Sequence, residues 1–177
     1  MFPARSIKPE SSESCCLVVM ETGSRWPTWL EAPPASRIVV QDPLESSQAL
    51  TTRSLRVIDA LRVKGQRLHA LVIAAGRGNP GGDPLGARSE VARAALATLA
   101  PGAGVVLAGS EDLPEAARHE LFATAEAIAQ LLAGSASSVC VRFDAPDSAE
   151  RHPISGIYPV VKLAPAKPVR ADRTGTA

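Results

Sequence analysis

Residues 76–84 carry the most pointed chemical signal in the chain: Gly76-Arg77-Gly78-Asn79-Pro80-Gly81-Gly82-Asp83-Pro84. Gly76, Gly78 and Gly81 reproduce the spacing Gly-x-Gly-x-x-Gly directly after an apolar, strand-like run. In that context glycines let the backbone approach a pyrophosphate, which then rests on the free N–H groups of the following helix. Arg77 and Arg88 flank the loop and supply positive charge for an anion. Other residues pull the other way. Pro80 removes a donor, and Asp83 in the N-cap position both occupies the orphan N–H groups and repels an anion. Glu111 lies beyond the spacing of about 20 residues expected for a ribose-binding carboxylate. Gly76 and Gly81 also have Walker-loop spacing, but Gly82 and Asp83 replace the Lys and Ser/Thr that would bind phosphate and magnesium.

For nucleophilic catalysis the best-placed residues are Ser110, at the end of a strand-like run, and His119, early in a helical pattern. Ser110 lacks the Gly-x-Ser-x-Gly elbow, and the ordinary reading of His119 is a solvent-facing helical residue beside Arg118. His69, His119 and His152 are scattered, and Cys15, Cys16 and Cys140 lack the paired spacing of a zinc site, so no metal is expected. An odd number of cysteines without a secretion signal fits reduced thiols. Trp26 and Trp29 sit three apart, which suits packing on one face of a short turn or, if exposed, a partner site.

These residues must be positioned by a scaffold, and the pattern around them is regular. Short β-type runs occur at residues 16–20 (CLVVM), 37–41 (RIVVQ), 68–75 (LHALVIAA), 104–108 (GVVLA) and 138–143 (SSVCVRF without its first Ser). Their near-continuous apolar character suits strands buried on both faces. Between them run helical patterns. Asp42-Pro43-Leu44-Glu45 predicts a cap, a proline in the first turn and a reaching Glu, with Leu50, Val57, Ile58 and Leu61 as the buried stripe and Gly65 as the stop. The same grammar at Asp83-Pro84 and at Asp112-Leu113-Pro114-Glu115 predicts two further helices, the last burying Leu121, Ala125, Ile128 and Leu132 before Gly134. Alternation of this kind predicts an α/β fold: an open, mostly parallel five-stranded sheet with helices on both faces, a Rossmann-like three-layer arrangement, plus an extended C-terminal arm.

The strand LVIAAG leading into the glycine loop resembles the universal stress protein superfamily over about residues 37–100. The motif of that family is Gly-x2-Gly-x9-Gly-Ser/Thr; Gly78 and Gly81 match the first pair, and Val91 stands where the third glycine would fall. The resemblance implies a small α/β protein that binds ATP phosphates in some members. It places Ser89 as a substitute for the helix-start phosphate ligand and Asp42, at the end of a strand, near adenine. Asp42 serves equally well as a helix cap.

Composition narrows the function further. The formal net charge is +1, from 19 Lys+Arg and 18 Asp+Glu, which gives no global pull toward nucleic acid or anionic membrane. No run approaches the roughly 18 apolar residues of a membrane span, and residues 1–16 lack an apolar h-region, so a cytoplasmic protein is expected. Residues 1–13 and 164–177 read as tails rich in Ser, Pro and charge. Residues 14–145 read as one domain, and residues 146–163 as an extended arm or edge strand, with Ile154-Ser155-Gly156-Ile157-Tyr158 before an edge-compatible Pro159. The expected function is a non-catalytic regulatory or stress-associated α/β protein. It would bind a nucleotide, another small anion or a protein partner at a strand-end crevice formed by Gly76, Arg77, Gly78, Gly81, Arg88, Ser89 and Asp42. Two alternatives accompany it: a hydrolase or transferase using Ser110 and His119, and a ligand-free interaction module, with a homodimer compatible with any of these.

Overall fold

The computed structural model describes residues 15–27, 30–31, 36–76, 82–144 and 152–153. The expectations for Arg77, Gly78, Gly81, Trp29, both tails and residues 154–163 lie outside them. In chain order the elements are β1 (Cys15–Met20), β2 (Leu30–Glu31), β3 (Arg37–Val40), α1 (Ser47–Val63), β4 (Leu68–Ala74), α2 (Pro84–Ala95), β5 (Leu99–Ser110), α3 (Glu115–Leu132), β6 (Ser138–Asp144) and β7 (His152–Pro153). Five strands pair in the order β3-β1-β4-β5-β6, all parallel, and β2 pairs with β7 separately. All five predicted runs are strands of that sheet.

Alternation along each strand divides the core in two. Leu17, Val19, Leu71, Ile73, Val105 and Leu107 face one side, where Leu50, Ile58 and Leu61 of α1, Val91 and Ala95 of α2, and Leu121 and Ile128 of α3 cover them. On the other side Cys16, Val18, Ala70, Val72, Val106 and Ala108 pack with Leu30 of β2. Register makes the second face a straight row: Ile38, Val18, Val72, Val106 and Cys140 are successive partners across the sheet.

The expected α/β three-layer arrangement with an open parallel sheet is present, but among the described residues the helices lie on one face and not on both as expected, because topology decides what fills each layer. The connections through α1, α2 and α3 all advance in the same direction across the sheet, so right-handed crossovers place all three helices side by side on one face. The connection from β1 to β3 runs the opposite way, and among its described residues it carries β2 and no helix. The third layer of the described residues is therefore extended chain. On that side the edge strand β3 leaves Ile38 52 % and Val40 50 % exposed.

Helix starts follow local chemistry, with two corrections. Asp83 caps α2 as predicted: its carboxylate accepts from the Gly86 N–H at 2.9 Å, and Pro84 opens the first turn. Asp42 does not cap α1. Residues 42–45 form a separate turn, in which Asp42 N–H donates to Glu45 Oε2 and Glu45 N–H to Asp42 O. Extended Ser46 (ψ 156°) then interrupts the chain and is itself the cap, accepting from Ala49 N–H. Nor does Asp112 cap α3, whose N-cap is Pro114, without a side-chain bond; Asp112 instead pairs with Arg25 at 3.2 Å. Ser46→Ala and Asp83→Ala are each expected to cost about 1 kcal/mol, whereas Asp42→Ala should stay within about 0.5 kcal/mol. Urea denaturation of the three variants checks this ranking.

At the amino end of the sheet, His69 Nδ1 accepts from the Cys15 N–H at 3.3 Å, so the bond requires a neutral ring. Burial pushes the His69 pKa below its ordinary 6.5. With the folded value depressed, the unfolded chain binds more protons between the two values, so stability is complete above about pH 6.5 and declines as pH falls through the folded value. His69→Asn keeps an acceptor without this titration. Melting temperature measured from pH 8 to pH 5 is expected to fall less in His69→Asn than in the wild type.

Candidate functional site

The carboxyl ends of β1 and β4 are where the chain direction across the sheet reverses, the place at which open α/β sheets form a ligand crevice. The exit from β1 is held firmly there. Glu21 N–H donates to Ala74 O, and Ser24 N–H to Glu21 O across a tight turn in which Gly23 has a φ of 76°. Buried Gln41, at the end of β3, accepts from Thr22 N–H and donates to Glu45 O. Thr22 Oγ1 donates to Asp42 O. On the opposite flank the exposed Arg25–Asp112 pair joins this exit to the loop after β5.

Into this frame α2 delivers Arg88. Its buried positions are Arg88, Val91, Ala92 and Ala95, a helical stripe whose first member is charged. Arg88 is 4 % exposed, and its guanidinium grips Glu21 in a two-bond fork: Nε to Oε1 at 2.5 Å and Nη2 to Oε2 at 2.7 Å. Gly76 N–H donates to the same Oε2 at 3.1 Å, and Arg88 Nη1 lies 3.4 Å from buried Thr124 Oγ1. Beside the pair is a cavity of about 20 Å³ bounded by Val19, Leu50, Thr51 and Ile73, room for about one water molecule. Gly76 is required for packing: a Cβ there would lie 1.9 Å from Thr22 O.

The structure sorts the predicted residues accordingly. Gly76 and Arg88 meet at Glu21, while Asp42 lies exposed at the mouth of the neighbouring loop. Ser89 Oγ is enclosed, with no hydrogen-bond partner among the described residues. Ser110 ends β5 opposite Asp144. His119 stands elsewhere, exposed on α3 with Nε2 3.8 Å from Glu115 Oε1. It lines an open groove of about 570 Å³ with Glu111, Glu115, Arg118, Phe122 and Phe143, a lining to which Ser110 does not contribute. The two proposed catalytic residues are not brought into one cavity. Burial pushes the Cys16 thiol up to about 12 and Cys140 to about 11, which keeps both protonated and poorly nucleophilic. Among the described residues no group of His, Cys, Asp or Glu is placed to hold a metal ion, and no helix is long and apolar enough to cross a membrane.

Glu21 and Gln41 are the residues that sequence reasoning missed. Both follow apolar strand runs, and a polar residue at that position in an α/β chain is the available signal. No family model, curated protein or solved structure matches the chain.

Proposed function

We propose that this chain is a non-catalytic regulatory α/β protein that binds a nucleotide or another small oxyanion in the strand-end crevice between β1 and β4. One observation carries the reading: a buried guanidinium, Arg88, and the first N–H of the glycine loop, Gly76, converge on one carboxylate, that of Glu21, at the topological switch. Burying an arginine is costly unless it is paired and hydrogen-bonded, and donors of this geometry suit planar or tetrahedral oxyanions. ATP is the first nucleotide to try, in keeping with the resemblance of the loop to universal stress proteins. The test is a thermal-shift screen with ATP, AMP, NAD, cyclic dinucleotides and inorganic phosphate. A ligand at about a hundred times its dissociation constant adds about 2.7 kcal/mol, roughly 5–11 °C for a domain of this size. A screen in which none of them raises the melting temperature rejects the proposal.

A second reading, self-association, is favoured by half-exposed Ile38 and Val40 on edge strand β3. Sedimentation of the wild type and Val40→Glu tests it: a dimer lost in the variant supports the reading, and a wild-type monomer at all concentrations rejects it.

A further inference from the structure

Three N–H donors from two different elements end on one carboxylate: Arg88 Nε and Nη2 from α2, and Gly76 N from the exit of β4. A guanidinium fork combined with a backbone N–H is a general oxyanion receptor, because each oxygen is met along a lone pair. The carboxylate filling it comes from a third element, the turn after β1. That turn does not need Glu21's side chain for its position. Its backbone is already fastened by Glu21 N–H to Ala74 O, Ser24 N–H to Glu21 O, Thr22 N–H to Gln41 Oε1 and Thr22 Oγ1 to Asp42 O. Nor does fold stability call for a charged pair here, since a buried ion pair typically does no better than an apolar pair of similar volume. An additional polar group is also unspent: Ser24 Oγ, on the same turn, is enclosed and has no hydrogen-bond partner among the described residues.

We infer that Gly76 N–H and the Arg88 guanidinium form an oxyanion site, and that Glu21 occupies it as an internal stand-in which a ligand's phosphate or carboxylate displaces. This rests on the crevice reading above and adds its regulation. Exchange of one carboxylate for an incoming oxyanion keeps Arg88 paired throughout, so the swap never strands a buried cation. Glu21's side chain is 10 % exposed against 4 % for Arg88, so Glu21 is the more accessible partner of the pair. The affinity of the site for any anion is thereby lowered by the competing intramolecular contact.

Acetate and inorganic phosphate are the probes, with chloride at matched ionic strength as the control. Glu21→Ala opens an oxyanion-sized gap beside the existing cavity. The melting temperature of Glu21→Ala is expected to rise saturably with acetate or phosphate, with at least about tenfold tighter affinity than the wild type. Glu21→Ala/Arg88→Met should show no such rise. In the wild type, phosphate should move the amide resonance of Gly76. Equal affinities in wild type and Glu21→Ala overturn the stand-in while leaving crevice binding intact. A saturable response in Glu21→Ala alone, with the wild type silent to every nucleotide and to phosphate, supports the receptor and rejects the proposed function. No saturable response in either protein overturns both. Should Glu21→Ala fail to fold, Glu21→Gln keeps an acceptor for Gly76 N–H and removes the competing charge; tighter phosphate binding supports the inference, and unchanged binding overturns it.

Discussion

Arg88→Met is expected to destabilise the fold by about 3–5 kcal/mol, because it leaves Glu21 as an uncompensated carboxylate in a largely closed site. Methionine occupies much of the arginine stem's volume, so the loss reports the charge and its hydrogen bonds more than a cavity. In a chain of this size the melting temperature should fall by roughly 6–20 °C. The companion variant decides the cause. Glu21→Leu/Arg88→Met removes both charges, and should recover most of the lost stability, since an apolar pair of similar volume replaces a buried ion pair at little net cost. Urea denaturation of the wild type, both single variants and the double variant closes a cycle whose coupling energy measures the pair directly. A single-variant loss below about 1 kcal/mol, the upper range of an exposed ion pair, would show that water reaches the site and that the buried-receptor argument is wrong.

Gly76→Ala should be nearly as damaging, at about 3 kcal/mol, the upper end of overpacking. Its Cβ would meet Thr22 O at 1.9 Å and Thr22 C at 2.8 Å, both backbone atoms that cannot rotate away. The exit of β1 would have to shift, and with it Glu21 and the Gln41 bond to Thr22 N–H. Gly65→Ala supplies the contrast. Gly65 has a φ of 67° and open space around the Cβ position, so it should lose only the left-handed conformational term, about 1–2 kcal/mol. The comparison is made without any ligand. A glycine retained only so that a pyrophosphate can approach would show no ligand-free cost, and that outcome for Gly76→Ala would return the loop to the dinucleotide reading.

The elements legible in the sequence are those that local sequence specifies. Leu121, Ala125, Ile128 and Leu132 are all buried along α3, because helical periodicity is written within a few turns of chain. The five strands were legible for the same reason, as apolar runs between turns. Asp83 was recognisable as a cap because its partner, Gly86 N–H, is three residues away. Asp42 and Asp112 carry the same local signature, yet Ser46 and Pro114 take the cap positions, since competition among adjacent turn residues depends on how the preceding strand exit is tied down.

Arg88 shows where sequence stops. From the sequence it is a cation beside the glycine loop; its burial on a stripe with Val91, Ala92 and Ala95, and its pairing with Glu21, 67 residues earlier, come from the packed structure. The three helices share one face for a similar reason: strand order, and therefore crossover direction, is set by pairings between distant segments. A lone glycine likewise does not disclose what approaches it. Gly76 was legible as a position needing a small residue in a phosphate-type motif, but only parallel pairing of β1 with β4 brings Thr22 O against it and turns Glu21 toward its N–H. Short-range hydrogen bonds and periodic burial are encoded residue by residue, whereas the charge balance of the crevice depends on which strand ends become neighbours, and that is decided by the packed sheet.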